Sequence, residues 1–307
     1  MDSPAKLCVI NQKGGVGKTT ISINLCGALA ARGHDVLLVD SDPQGNATEH
    51  LGYQDNYHDL SIEVTLADCL TDLDHIDDIE KTIAETPEFD LVRANEQMHE
   101  GLREKLSSVN SSEARLTKCL ESVEGKYDYV VIDSPPRLGK ITTNGIVYAR
   151  NLLVPTYPEE MSVTGISRLS RQVDAVQEFY QDVSYVGFVI NRIENNNEAE
   201  EVIEGLEEEF GSVLSLWKIR KRVDLRRAIT KSNGSIFIHD ADDEHDLVFF
   251  DIAAKLDDYF DLEPDHDLYD VFSEADIRDA VTNGQIEPED LVQLNDEVSS
   301  VLAEGAK

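Results

Sequence analysis

The chain has 307 residues, 41% of them hydrophobic, which is ample for a sizeable core and long, but not too long, for one domain. Its 61 acidic residues against 27 basic ones leave a net charge of −34, a balance that keeps a chain soluble and repels nucleic acid unless basic residues are gathered in one place. No run of eighteen apolar residues occurs, residues 1–6 form no signal segment, and Cys8, Cys26, Cys69 and Cys119 are scattered without a Cys-x-x-Cys pair; a membrane span, a disulfide framework and a zinc site are therefore not expected, and a reducing cytoplasm is.

Residues 7–10 form an apolar, strand-like run, and residues 21–31 carry a helical pattern. Between them, residues 11–20 read Asn-Gln-Lys-Gly-Gly-Val-Gly-Lys-Thr-Thr. Strand, glycine-rich turn and helix form the context of a phosphate-binding loop. The backbone N–H groups of Gly14, Gly15, Val16 and Gly17 can turn inward, and the helix start at Thr19 and Thr20 adds positive potential. Lys18 can reach the outer phosphates, and the Thr19 hydroxyl can ligate magnesium. The bland alternative is a glycine-rich turn with two surface lysines. The strict pattern asks for glycine where Gln12 stands, and Lys13 opens the loop instead.

That departure resembles the deviant phosphate loop of the ParA/MinD family of ATPases. The resemblance implies ATP as substrate with Mg2+, and a P-loop α/β fold: a doubly wound, mostly parallel sheet with helices on both faces. It also implies that Lys13 crosses to a partner subunit and touches that subunit's nucleotide, a cation supplied in trans like an arginine finger.

A second apolar strand, residues 35–39, ends at Asp40, followed by Ser41, Asp42, Pro43, Gln44, Gly45 and Asn46. A continuous apolar strand suits a parallel sheet covered on both faces. Its carboxyl end lies beside the phosphate loop, where ligands bind, and magnesium and an attacking water both want carboxylate oxygen there. The family resemblance assigns Asp42 to positioning water near magnesium, with Asp40 in support. Residues 48–126 show no chemistry. They suggest short helices at 66–70 and 76–83, a strand at 89–95 and helical spacing over 102–123. His50, His58, His75 and His99 lack metal-ligand spacing.

Residues 127–133 form an apolar strand ending in Asp133, the pattern of a Walker B element, in which Asp133 holds magnesium through water. Pro135 and Pro136 stiffen the following loop, and Leu138, Gly139, Thr143 and Asn144 match the family's second switch. Strands follow at 152–155 and 183–190, with a long helix over 163–180. The alternation implies right-handed crossovers in one sheet. Asn191 follows the last strand; in the family an asparagine there reads the adenine edge, offering a donor and an acceptor together.

Residues 218–231 hold seven of the 27 basic residues and one acid. Lys218, Arg220, Lys221, Arg222, Arg226, Arg227 and Lys231 point to a phosphate backbone, without base readout. A helix face paired with neighbouring acids is the alternative. Here Arg227 and Ala228 stand where the family often has Glu-Ala, which raises the local positive charge.

An amphipathic helix at 249–260 closes an ATPase domain taken as residues 1–262. Residues 263–307 form an acidic helical extension in which Ile277, Ala280 and Val281 share one face, and packing on the body is the expected fate. The resemblance covers residues 6–260. It implies a ParA/Soj-like ATPase that forms a homodimer on ATP, binds DNA non-specifically and is stimulated by a ParB-like partner, cytoplasmic and nucleoid-associated. A MinD-like division-site regulator cycling on the membrane is the alternative, disfavoured by the lack of a basic amphipathic tail. The first strand begins at Lys6, so no helix-turn-helix extension for operator binding is expected. The acidity spread along the chain resembles cytoplasmic proteins of halophiles.

Overall fold

The computed structural model describes residues 3–99, 102–137, 139–158, 177–178, 182–193, 203–205, 215–220, 233–238 and 244–282. The strands among the described residues are β1 (Ala5–Val9), β2 (Val36–Asp40), β3 (Ile83–Glu85), β4 (Asp90–Val92), β5 (Tyr129–Asp133), β6 (Asn151–Thr156), β7 (Ser184–Ile193) and β8 (Ser215–Arg220). They form one sheet in the order β3-β4-β2-β5-β1-β6-β7-β8. Only β3 runs antiparallel to its neighbour.

Every residue of β2 and β5 is buried. Alternate side chains feed two cores, one on each face of the sheet. Leu7, Val9, Leu38 and Val131 join one core, with the helices α1 (Lys18–Ala31) and, at the far end of the chain, Glu244–Phe260. Cys8, Ile10, Leu37, Val39 and Ile132 join the other. That second face is covered by α4 (Leu66–Thr71), α5 (Leu102–Ser108), α6 (Arg115–Leu120) and α7 (Lys140–Ala149), after two short helices, α2 (Asn46–His50) and α3 (Gln54–His58). Residues 21–29 of α1 are buried all round, since α1 lies between the sheet and the helix Glu244–Phe260, here α8.

Several elements differ from the sequence reading. The helix expected at 76–83 is one 3-10 turn, Ile79–Thr82, followed by β3. The Thr86 hydroxyl donates to the Phe89 carbonyl and turns the chain back into β4, which makes the hairpin. The helical span at 102–123 is split into α5 and α6, with Ser111 between them at φ 53°. Strand β8 has no counterpart in the sequence reading. Trp217 and Ile219 alternate into the core, so the first three residues of the basic segment belong to a strand. The helix expected at 163–180 lies outside the described residues except for 177–178.

Beyond α8, the short helices α9 (Leu268–Val271) and α10 (Glu274–Thr282) pack on the body. Leu268, Ile277 and Ala280 join the first core. The Arg32 carbonyl accepts from the N–H groups of Asp265 and His266 at 2.9 and 3.1 Å.

Beneath that junction lies a buried polar cluster. Arg32 Nε donates to Asp257 Oδ2 at 2.6 Å, the Tyr129 hydroxyl donates to Asp257 Oδ1 at 2.7 Å, and His34 Nε2 lies 2.9 Å from the same oxygen. Burial would raise the Asp257 carboxyl, but the His34, Tyr129 and Arg32 contacts outweigh it and hold it below its ordinary value of 3.8. A depressed carboxyl adds stability above the unfolded pKa and loses it as pH falls through the folded one. Asp257→Ala removes the buried carboxylate that Arg32, His34 and Tyr129 share, so an expected loss of about 3–5 kcal/mol is read from urea unfolding at pH 7. The gap to wild type closes as the pH is lowered below about 4.

Candidate functional site

Three carboxyl strand ends converge. β1 runs into the loop of residues 11–17, β2 ends at Asp40 and β5 ends at Asp133. Asp40 and Asp133 are register partners on adjacent strands.

Gly15 and Gly17 take φ of 83° and 95°, the left-handed region that glycine alone enters without strain. Nothing lies within 4 Å of where a Cβ would stand at Gly14 or Gly15, so the loop presents an open cradle. Gly17 begins α1 without a side-chain cap, and the first turn holds no acid, in a chain with 61 of them. The first amides of α1 thus keep their anion-binding capacity. Lys13 is exposed on the loop. Its carbonyl accepts from Lys18 Nζ at 3.3 Å, and its N–H donates to Asn11 Oδ1 at 3.0 Å.

Lys18 is 7% exposed. Burial lowers its pKa, and the nearby charges of Asp133 and Asp42 pull it back up. The three carboxyls shift the other way. Burial raises Asp40, with Asp133 adding to it. Burial raises Asp42, opposed by the Gln44 N–H and Lys18. Burial raises Asp133, opposed first by the Thr19 hydroxyl. Burial is the first cause at all four groups: each ionised form has lost water that a bound ligand or ion would have to replace.

The hydrogen bonds leave specific oxygens over. Thr48 gives both its N–H and its hydroxyl to Asp40 Oδ2, at 2.8 and 2.7 Å, and Asp40 Oδ1 is buried with no partner. The Ser22 hydroxyl donates to Asp133 Oδ1 at 3.3 Å, and Asp133 Oδ2 is likewise buried without one. Asp42 Oδ1 accepts from the Gln44 N–H at 3.0 Å. Two orphaned carboxylate oxygens beside an uncapped helix fit a divalent cation between protein and phosphate. Among the described residues no three His, Cys, Asp or Glu side chains form a metal cage. An ion here would complete its shell with hydroxyl, water and phosphate oxygen, which suits magnesium.

A family model described as an AAA domain matches residues 5–184. The sporulation initiation inhibitor protein Soj of Bacillus subtilis is 35% identical over 254 residues, 81% of this chain and 97% of that protein. The chromosome partitioning protein ParA of Myxococcus xanthus is 34% identical over 204 residues, 64% of this chain and 69% of that one. This chain belongs to the ParA/Soj family of partition ATPases. A solved structure of cobyrinic acid a,c-diamide synthase from Mycobacterium smegmatis, with bound ADP and magnesium, superposes with a TM-score of 0.63. It is 27% identical and covers 75% of this chain and 92% of that one.

Within this ParA/Soj-family site, the other expected residues fall as follows. Val16 and Thr20 flank the turn into α1, and Val16 is fully buried. Asn191 is not past the end of β7 but inside it, where the register shifts between Ile190 and Ile193. Its Nδ2 donates to the Val16 carbonyl at 2.9 Å. Asn144 is a bracket between helices: its Oδ1 accepts from the Leu116 N–H at 2.9 Å and its Nδ2 donates to the Ser112 carbonyl at 2.6 Å. Lys218 and Arg220 lie on β8, whereas Lys221, Arg222, Arg226, Arg227 and Lys231 lie outside the described residues.

Residues 48–126 supply contacts that the sequence did not reveal. The Tyr57 hydroxyl donates to the Pro43 carbonyl at 2.8 Å and lies 3.0 Å from His99 Nε2. Gly45, at φ 62°, admits the Tyr57 ring, since a Cβ there would stand 2.2 Å from it. Tyr57 thereby holds the turn that carries Asp42. A cavity of about 560 Å³ opens between this turn and the loop after β5, lined by Asp42, Gln44, His99, Pro136 and Lys140. No local pattern marks Tyr57 or His99; their roles arise only from tertiary packing.

Proposed function

We propose that this chain hydrolyses ATP to ADP and phosphate as a DNA-bound, dimerising switch that partitions DNA or other cargo. The observation that carries the reading is the convergence of Lys18, Asp42 and Asp133 on one open, uncapped helix start. The amides of residues 14–19 cradle the phosphates, and Lys18 meets the outer ones. Thr19 and Asp133 would hold the magnesium ion, with Asp42 near it. When bound, that ion neutralises phosphate charge. Asp42 orients the attacking water through Oδ2, because Oδ1 is engaged by Gln44. Asn191 offers the adenine edge its remaining amide hydrogen and lone pair.

Soj and ParA relatives spanning most of their own lengths support the partition role. Lys13, exposed beside the cradle, reaches the nucleotide of a second copy and makes ATP the clamp of a homodimer. The dimer presents the basic segment, Lys218 to Lys231 in sequence, to DNA without base readout, and a ParB-like protein stimulates hydrolysis. The working place is the cytoplasm, on the nucleoid. Among the described residues, no helix is long and apolar enough to cross a membrane.

A magnesium-dependent ATPase assay with and without duplex DNA, paired with a gel shift, tests this reading. Arg220→Glu with Arg222→Glu reverses two charges, a change of four units. It is expected to weaken DNA binding about a hundredfold or more at low salt and to flatten the salt dependence, with ATP affinity unchanged. An unchanged gel shift would remove the basic segment from the mechanism, and binding to anionic vesicles in place of DNA would favour the membrane-cycling reading.

A further inference from the structure

The phosphate loop is tied to the ends of β6 and β7 by side chains far away in sequence. At its start, Asn11 Nδ2 donates to the Pro155 carbonyl at 2.7 Å. Tyr157, just past β6, donates its hydroxyl to the Gly15 carbonyl. Asn191, in the β7 bulge, donates Nδ2 to the Val16 carbonyl.

These carbonyls decide where the loop's amides point. In a trans peptide unit the C=O of one residue opposes the N–H of the next. Drawing the Gly15 and Val16 carbonyls toward β6 and β7 therefore fixes the N–H groups of Val16 and Gly17 on the opposite side, in the cradle.

The two donors are themselves locked. Arg192 takes φ 57°, and its N–H donates to Asn191 Oδ1 at 2.8 Å, which sets the orientation of the amide. The Arg192 guanidinium lies over the Tyr157 ring, 5.2 Å from its centroid. One left-handed residue in the bulge thus aims both contacts. Gly17 leaves the room: a Cβ there would stand 2.4 Å from Asn191 Nδ2.

We propose that Tyr157, locked by Arg192 and acting with Asn191, is a positioning residue that presets the phosphate loop for nucleotide. The inference rests on the nucleotide-binding reading of the loop given above. A preset loop does not have to be ordered when ATP arrives, so the brace contributes to affinity and not to the chemical step. Its effect is shared by ATP and ADP, because the amides of Val16 and Gly17 belong to the part of the loop that serves both.

Tyr157→Phe is the cleanest test, since it keeps the ring under Arg192 and deletes only the hydroxyl. Titration with fluorescent ATP and ADP analogues is expected to show Kd raised about fivefold for both, the worth of one net hydrogen bond. KM for ATP rises in step and kcat stays within about twofold, whereas the urea midpoint of the nucleotide-free protein falls by no more than the loss of one half-exposed hydrogen bond allows. Arg192→Ala, which removes the cation over the Tyr157 ring, is a second variant, expected to weaken both nucleotides in the same direction, and its double variant with Tyr157→Phe loses less than the product of the two because both act on one contact. Wild-type affinity in Tyr157→Phe, or a fall in kcat at unchanged Kd, overturns the brace while leaving the nucleotide reading intact. A wild-type protein that binds neither nucleotide overturns both.

Discussion

Lys18→Ala abolishes nucleotide binding, with Kd for a fluorescent ATP analogue raised by about a thousandfold or more. Lys18 is the buried cation whose charge holds down the raised pKa values of both Asp42 and Asp133. A unit charge about 4 Å from a phosphate is worth about 4 kcal/mol at the effective dielectric of such a site, and each 1.4 kcal/mol is tenfold. The loss is compounded because three carboxyls remain where phosphate must sit, without the ammonium that offsets them. Lys18→Arg does not restore binding, since the planar guanidinium does not fit where one ammonium lies 3.3 Å from the Lys13 carbonyl. Binding at wild-type affinity in Lys18→Ala would contradict the assignment of the loop.

Asp42→Ala separates binding from turnover. The substitution deletes the carboxylate proposed to orient water, so kcat is expected to fall by about a hundredfold or more, the usual worth of a positioned base. ATP affinity is kept, because the cradle amides and Lys18 are untouched. With hydrolysis blocked, the ATP-bound state accumulates, and size exclusion is expected to show a species of twice the monomer mass. Unchanged turnover would remove Asp42 from the chemistry.

The sequence exposed the parts of this site that are written in consecutive residues. The loop of residues 11–20, the apolar strands ending at Asp40 and Asp133, and the turn after Asp40 each carry their chemistry within a few positions, and the structure brings them to one end of adjacent strands. The brace was hidden for the opposite reason. Tyr157 meets Gly15 across 142 positions and Asn191 meets Val16 across 175. Only the sheet order, which sets β6 beside β1 and β7 beside β6, makes them neighbours. Tyr57 was hidden likewise, although Gly45 left a trace of it in the need for a residue without a Cβ. Neither β3 nor β8 is legible in the sequence: β3 has only three residues, and in β8 Lys218 and Arg220 interrupt the apolar run, so that pairing, not propensity, makes them strands.

The net charge bears on assembly. Two copies that each carry −34 repel one another at long range, and salt screens this within about 10 Å at 0.1 M. The proposed clamp of ATP and a lysine from each side would place attraction at the centre of that repulsion. The clamp is measured most directly by sedimentation with ATP and magnesium at molar salt, comparing Asp42→Ala with Asp42→Ala/Lys13→Ala. A lysine shared across the interface requires the first to sediment as a dimer and the second as a monomer with ATP still bound. Dimers of equal stability in both, or monomers in both, would contradict it.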